Sequence, residues 1–164
     1  MPAIVHPIPP VYDERSEILI LGSFPSVKSR EEQFFYGHPQ NRFWRVVASV
    51  FEQDVPRTME EKRAFLLRNR IALWDVIASC EIEGSSDQSI RNPVPNDLTP
   101  ILTAADIKRI FVNGRKAEEY YNKLIWPKLG REAVYLPSTS PANAAMKFDQ
   151  LMQAWSAIRQ LFER

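Results

Sequence analysis

The 164-residue sequence has few of the residues that build metal or redox sites. It contains one cysteine, Cys80, and two histidines, His6 and His38. A single cysteine excludes an internal disulfide framework and an iron–sulfur cluster held by cysteine ligands. Two histidines argue against a protein zinc site. We therefore expect neither a metal ion nor a cofactor.

Long apolar segments are also missing. No apolar run reaches the roughly 18 residues that would suggest a membrane span. Residues 1–17, MPAIVHPIPPVYDERSE, form an N-terminal extension without the basic start and apolar run of a secretory signal. We expect a cytoplasmic protein that acts as a monomer and has no membrane partner.

Neither sign of charge is in excess, since 21 basic and 20 acidic residues give a net charge of +1. This balance argues against a protein that coats nucleic acid through bulk charge. A compact contact with nucleic acid stays open, because basic residues cluster locally at Lys28, Arg30, Arg42 and Arg45. Taken alone, such a cluster is more often a solvated surface than a phosphate site.

Short apolar runs alternate with amphipathic segments along the chain. The predicted strands are 17–22, 71–77, 107–114 and 132–138, and the predicted helices are 42–51, 59–69, 114–126 and 142–163, the third ending at Pro127. This alternation predicts one three-layer α/β/α domain over residues 1–164, with a four-stranded parallel sheet. Ligands bind such sheets at the carboxyl ends of the strands. Four loops follow those ends: GSFPS, DVIASCE, NGRKA and LPSTSPAN.

The chemistry of these loops points to a planar ligand. They carry amides and hydroxyls, and the aromatic stretch FFYGHPQNRFW (34–44) follows the first of them. No Ser–His–Asp set, G-x-S-x-G elbow or glycine-rich phosphate loop is present. A carboxamide offers a donor and an acceptor to the edge of a heterocycle, and an aromatic ring stacks on its face. These loops therefore predict a nucleobase pocket.

Three motifs in order, GSFPS, FYGHPQNRFW and LPSTSPAN, resemble the uracil-DNA glycosylase superfamily from about Ile18 to the end of the chain. The hypoxanthine-DNA (deoxyinosine) glycosylase branch is the most similar, and LWDVIASCEIEGSSDQSIRNPVPND also resembles it. The resemblance implies an uracil-DNA glycosylase-like fold and a monofunctional DNA repair glycosylase. Its substrate would be a flipped deaminated base in double- or single-stranded DNA, and hypoxanthine is the base that the resemblance favours. The alternatives are a uracil or mismatch-specific glycosylase, and a non-catalytic module that binds DNA lesions or nucleotides.

Two departures from the superfamily pattern concern the customary catalytic positions. Phe24 stands where most members place Asp or Asn before a proline, and Leu136-Pro137 stands where the uracil-specific enzymes carry a histidine. In the hypoxanthine branch the catalytic residue is the asparagine of the HPxN block, which implies Asn41 here. Asn41 could orient water or donate a hydrogen bond to the base, and its other interpretation is a helix N-cap.

The resemblance assigns Tyr36 to stacking on the base, and its other interpretation is core packing. His38 would brace its loop or transfer protons, and Asn113, at the end of the third strand, would read the base edge or cap the following helix. Asp75 would brace neighbouring loops, with catalysis as the second interpretation. Gly22, Ser23, Phe24 and Pro25 complete the predicted base pocket. The other aromatics, including Phe43, Trp74 and Trp155, are predicted to be core.

DNA contact is assigned to LPSTSPAN, which would press into the duplex while the base is flipped out. The alternative is a serine- and proline-rich turn that caps the last helix. The predicted DNA-binding residues are Ser26, Arg42, Ser138, Thr139, Ser140, Pro141 and Asn143.

Overall fold

The computed structural model describes residues 2–160. Its strands are β1 (Ile4–Val5), β2 (Ile18–Gly22), β3 (Ile71–Asp75), β4 (Ile77–Glu81), β5 (Arg91–Pro95), β6 (Arg109–Asn113) and β7 (Val134–Leu136). Four of them form a parallel sheet in the order β3-β2-β6-β7. This confirms the predicted four-stranded parallel sheet, and every residue of its central strand β2 is buried.

The helices are α1 (Val27–Glu32), α2 (Phe43–Val50), α3 (Met59–Arg68), α4 (Thr99–Ala104), α5 (Arg115–Tyr120), α6 (Trp126–Leu129), α7 (Phe148–Trp155) and α8 (Ala157–Gln160). Because side chains alternate across a strand, β2 feeds two cores. Ile18 and Ile20 join the core that includes α2 and α7, whereas Leu19 and Leu21 join the one that includes α4. The mixed α/β architecture with helices on both faces of the sheet is thus as predicted. Among the described residues, no helix is long and apolar enough to cross a membrane.

A second sheet was not predicted. The strand expected over 71–77 ends at Asp75, and Ile77–Glu81 turns away to form an antiparallel sheet in the order β1-β4-β5. The N-terminal extension is built into the fold as well, since β1 pairs with β4 and Val11 bridges to Leu73. Such pairings join residues far apart in sequence and leave no local pattern to detect.

The predicted end of the third helix at Pro127 is wrong. Helix α5 continues through a π-helical turn, Tyr121–Ile125, into α6, and ends at Gly130, whose φ is +74°. Pro127 lies in the first turn of α6, directly after the π-helical turn, a position at which proline is tolerated. Gly130 adopts the left-handed conformation that commonly ends a helix.

The predicted start of the last helix at 142 is also wrong. Residues Pro141–Asn143 form a 3₁₀ turn, and α7 begins at Phe148, where the Gln150 side chain accepts a hydrogen bond from the Lys147 N–H at 3.1 Å. The carbonyls of Asn143 and Met146 accept hydrogen bonds from a side chain outside the segment, which keeps it from being helical. The predicted residues beyond Gln160, including Phe162, lie outside the described part.

Candidate active site

The carboxyl ends of β2, β3 and β6, the loop after β7 and the aromatic stretch enclose a cavity of about 310 Å³. This size lies at the lower end of the range for small-molecule pockets. All the predicted site residues line this cavity except Arg42 and Asn143. The lining residues that the sequence analysis did not select are Ser29, Phe35, Ser85, Asp87 and Ala142.

Tyr36 lines the cavity. One face of its ring stacks on the buried ring of Phe43, with centroids 4.1 Å apart and planes 12° from parallel. Tyr36 has a φ of +53°, which an aromatic residue seldom adopts, so the surrounding structure holds it in a strained conformation. Burial, with a smaller contribution from the charge of Asp75, raises the pKa of the Tyr36 phenol above its usual range. The hydroxyl therefore keeps its proton.

Asn41 uses the two ends of its carboxamide differently. The Oδ1 atom accepts a hydrogen bond from the Phe43 N–H at 2.9 Å, at the start of α2. A backbone N–H can only donate, so the atom that faces it is the oxygen. The Nδ2 amide has no protein hydrogen-bond partner among residues 2–160, and Asn41 lines the cavity. Its free end is thus a donor.

His38 shapes the turn that presents Asn41. Its Nδ1 accepts a hydrogen bond from the Gln40 N–H at 3.1 Å, and its carbonyl accepts one from the Asn41 N–H at 2.9 Å. Both hydrogen bonds lie within the turn that leads from His38 into Asn41.

Asn113 holds the pocket together rather than presenting free donors to a base. Its Nδ2 donates to the Tyr36 hydroxyl at 3.2 Å and to Thr139 Oγ1 at 3.0 Å, and its Oδ1 accepts from the Thr139 N–H at 3.1 Å. It does not cap α5, because Gly114 occupies the N-cap position with a φ of +96° and no side-chain bond. Thr139 is fully buried. These bonds tie the end of β6 to the aromatic stretch and to the loop after β7.

Arg42 braces this loop, although it was predicted to bind DNA. Its guanidinium donates to the carbonyls of Met146 at 2.7 Å and Asn143 at 3.0 Å, while its backbone N–H donates to the Thr139 carbonyl at 3.0 Å. Asn143 also turns inward, since its Nδ2 donates to the Ser138 carbonyl at 3.0 Å. The two predicted residues that do not line the cavity therefore fix the shape of the loop that does.

The serines of the loop have hydroxyl hydrogens to offer. Ser138 Oγ accepts from the Ser140 N–H at 3.0 Å, and Ser140 Oγ accepts from the Ala142 N–H at 3.2 Å. Each hydroxyl thus accepts a backbone bond and keeps its own hydrogen for donation. Ala142 is exposed at the tip of the loop.

Two groups of the site escaped the sequence analysis. His6, in the N-terminal extension, donates from Nε2 to Asp75 Oδ2 at 2.7 Å, and Asp75 is only 3% exposed. Asp87 accepts a hydrogen bond from Ser23 Oγ at 2.9 Å, and its pKa is raised by burial and by the nearby charge of Asp75. Because 69 residues separate His6 from Asp75, no spacing reveals this pair. Asp87 belongs to the acidic stretch 81–87, and such a cluster in a sequence is typical of a solvated surface.

Comparison with known proteins gives concordant matches. Residues 9–159 match the Uracil DNA glycosylase superfamily. A Hypoxanthine DNA glycosylase of Methanosarcina acetivorans is 39% identical over 152 residues, 92% of this chain and 94% of that protein. One of Methanosarcina barkeri is 39% identical over 137 residues, 82% and 85% of the two chains. A solution NMR structure from Methanosarcina acetivorans, described as a candidate uracil DNA glycosylase, superposes with a TM-score of 0.76 at 36% identity, covering 93% of this chain and 96% of that one.

Proposed function

The chain belongs to the Uracil DNA glycosylase superfamily, and we propose that it hydrolyses the N-glycosidic bond of a deaminated base in DNA, with hypoxanthine as the preferred base. The similarity to two proteins named Hypoxanthine DNA glycosylase supports this choice of base. The observation that carries the proposal is the pairing, in one cavity, of an aromatic face on Tyr36 with a free amide donor on Asn41.

The base would enter the cavity against the open face of Tyr36. Phe43 supports the opposite face at 4.1 Å, so the tyrosine ring cannot retreat when a base stacks on it. Stacking of one base on an aromatic side chain contributes roughly 1–3 kcal/mol. This offsets part of the few kcal/mol that are needed to flip a nucleotide out of the duplex.

Asn41 would then act on the departing base. A neutral carboxamide cannot deprotonate water, and its oxygen is already bonded to the Phe43 N–H. The bond between C1′ of the sugar and N9 of the purine breaks first, and its electron pair leaves with the base. The Nδ2 amide of Asn41 donates a hydrogen bond to this developing negative charge, as an oxyanion hole does. Water adds to the oxocarbenium-like sugar at C1′ and releases a proton to solvent, and the departed purine anion takes up a proton from solvent.

The loop over residues 137–143 would contact the DNA. The Ser138 and Ser140 hydroxyls can donate to phosphates, and Pro141 and Ala142 form the part of the loop that can fill the space left by the flipped base. The Asn143 side chain, which donates to the Ser138 carbonyl, stabilises the conformation of this part of the loop.

A non-catalytic lesion-binding module is the second candidate, favoured by the apolar Phe24 at the customary position of the catalytic acid. Matched duplexes that carry inosine, uracil, xanthine or a thymine mismatch separate the candidates when abasic sites are cleaved with alkali. We expect the inosine strand to be cleaved fastest. A protein that binds these duplexes but leaves every labelled strand intact after alkali would be a binder.

A further inference from the structure

The Asp87 carboxylate lines the same cavity as Asn41, and the proposed chemistry at Asn41 makes no use of it. Asp87 lies in the connection between β4 and β5, and its Oδ1 accepts a hydrogen bond from Ser23 Oγ at 2.9 Å. Its Oδ2 has no hydrogen-bond partner within residues 2–160. An ionised carboxylate oxygen can only accept, so Asp87 offers a free acceptor to a molecule in the cavity.

Ser23 joins this carboxylate to the loop where most of the superfamily carries its catalytic acid. Ser23 directly follows β2 and precedes Phe24, the apolar residue at the customary position of that acid. The GSFPS loop itself therefore has no carboxylate, but Asp87, 64 residues further along the chain, places one beside it. This contact joins distant segments, so no motif in the sequence shows it.

Other hydrogen bonds hold the segment before Asp87 against helix α1. Ser85 Oγ accepts from the Val27 N–H at 2.9 Å, and the Arg30 guanidinium donates to the Gly84 carbonyl at 2.6 Å. Together with the bond from Ser23, these contacts fix the position of the carboxylate. A catalytic group has to be held in this way, because its effect depends on its distance from the reacting atoms.

Asp87 forms no ion pair within the described part of the chain. The described residues that line the cavity include no lysine or arginine, and the second carboxylate there, Asp75, carries the same charge. The charge of Lys116 acts on Asp87, but the Lys116 ammonium is bonded to Glu119 at 3.0 Å. Burial, with a smaller contribution from the charge of Asp75, raises the pKa of Asp87. A positive charge that forms beside Asp87 would thus gain a partner that the carboxylate lacks in the free protein.

The proposed hydrolysis forms such a charge, because departure of the base leaves an oxocarbenium-like sugar. We propose that Asp87 is a catalytic residue of this reaction, whose carboxylate faces the positive sugar and accepts a hydrogen bond from the attacking water. The water oxygen bonds to C1′, one water proton passes to Asp87 Oδ2, and the carboxyl group then releases this proton to solvent. This inference rests on the proposed function.

Asp75 is less suited to bind the attacking water. Each of the two carboxylates has one oxygen bonded within the protein, since Asp75 Oδ2 accepts from His6 at 2.7 Å. Their exposure differs, because Asp75 is only 3% exposed whereas Asp87 is partly exposed. Solvent water therefore reaches Asp87 more readily than Asp75.

The substitution Asp87→Asn removes the charge and keeps an acceptor for Ser23. The carboxamide oxygen can stay on Ser23 Oγ, so a donating amino group replaces the free acceptor. In single-turnover assays on a deoxyinosine duplex, we expect the excision rate to fall at least about 100-fold, the lower end of the contribution of a general base. Glu83→Gln, at an exposed position in the same acidic stretch, is the matched control and should excise at the wild-type rate.

A binding measurement separates a charge that faces the sugar from one with a structural role only. In one duplex a pyrrolidine ring, which is a cation at neutral pH, replaces the target sugar, and in another a neutral tetrahydrofuran ring replaces it. Wild-type protein should bind the cationic duplex at least about tenfold more tightly, the effect of a hydrogen bond to a charged group. Asp87→Asn should lose most of this preference, Asp75→Asn should lose less of it, and Glu83→Gln should keep it.

The outcomes separate the two proposals. Wild-type protein that excises no deaminated base would overturn the proposed function, and this inference with it. Wild-type excision of deoxyinosine, combined with near-wild-type excision by folded Asp87→Asn, would overturn only the role of Asp87. Equal affinity of the wild-type protein for the cationic and the neutral duplex would do the same without any variant. A preference that persists in Asp87→Asn, or that Asp75→Asn loses to a greater extent, would also overturn it.

Discussion

The side chain of Asn41 serves the helix with one atom and the cavity with another. From the sequence, a helix cap and a catalytic amide are alternative interpretations of this residue. In the structure Arg42 is the N-cap of α2, and Asn41 Oδ1 instead bonds to the N–H of Phe43, the first residue of the helix, while Nδ2 stays free in the cavity. The bond to Phe43 also fixes the rotation of the carboxamide, which keeps the donor directed without further support.

Tyr36 and Phe43 form one stack but should respond differently to truncation. Tyr36→Leu removes the ring that meets the base, so we expect excision of deoxyinosine to fall about 5- to 100-fold, in line with the loss of one stacked base. Phe43→Ala empties a fully buried site and should cost about 3–5 kcal/mol of stability. Single-turnover excision and thermal melting measure the two effects. Tyr36→Phe, which keeps the ring, is the control, and wild-type excision by Tyr36→Leu would remove the stacking role.

Asp87 should make stability depend on pH in a defined direction. Burial raises its pKa in the folded protein above the ordinary 3.8, so the ionised group destabilises the fold above that folded pKa. Below 3.8 the group is protonated in both states and this penalty vanishes. Asp87→Asn keeps an acceptor for Ser23 and should therefore melt higher than wild type at pH 7, with a difference that shrinks as the pH falls toward 3.8. A variant that melts lower at pH 7 would contradict this account.

The loop between β7 and α7 owes its shape to elements on either side of it. Arg42, directly before α2, contributes its guanidinium, and β6 contributes Asn113. Helix α7 contributes Trp155, whose Nε1 donates to the Pro137 carbonyl at 2.8 Å. Ser138 also packs against Gly114: a Cβ atom placed on Gly114 would lie 3.1 Å from the Ser138 Cβ. A loop held at so many points can press on DNA without losing its own conformation.

This arrangement predicts an unusual response at Arg42. The Arg42 guanidinium donates to two carbonyls at once, which a lysine ammonium cannot reproduce. Arg42→Lys keeps the charge but should therefore weaken DNA binding nearly as much as Arg42→Met, by about tenfold. The slope of log affinity against log salt should stay the same in both. A slope reduced by about 0.9 in Arg42→Met alone would instead identify Arg42 as a phosphate contact.

Across the whole molecule, local patterns predicted the parallel sheet and missed the long-range pairings. Apolar runs marked all four parallel strands, and loops at their carboxyl ends brought most of the predicted site residues into one cavity. Contacts between distant segments produce the rest: the antiparallel sheet, the His6–Asp75 pair and the position of Asp87 in the cavity wall. Composition alone does not reveal two of the helix boundaries. Pro127 is tolerated within the third helix, and tertiary hydrogen bonds delay the start of the last helix to Phe148.

The near-zero net charge of the chain has a consequence for DNA binding. The chain has 21 basic and 20 acidic residues, and the Arg42 guanidinium is bonded inside the protein, so there is no excess of positive charge to attract DNA. We expect the slope of log affinity against log salt on duplex DNA to be no steeper than about −4, which corresponds to roughly four contacts. A titration series at several salt concentrations measures it, and a slope near −10 would show that the basic clusters act together.

The central claim is that the free amide of Asn41 stabilises the departing base, and the substitution Asn41→Asp tests it most directly. The carboxylate can still accept the Phe43 N–H at the start of α2, but it has no hydrogen to donate. Asn41→Ala, which loses both functions, is the companion variant. In single-turnover assays on a deoxyinosine duplex, with folding checked by melting, we predict that both variants lose at least about 100-fold in excision rate. Excision by folded Asn41→Asp at close to the wild-type rate would contradict the account.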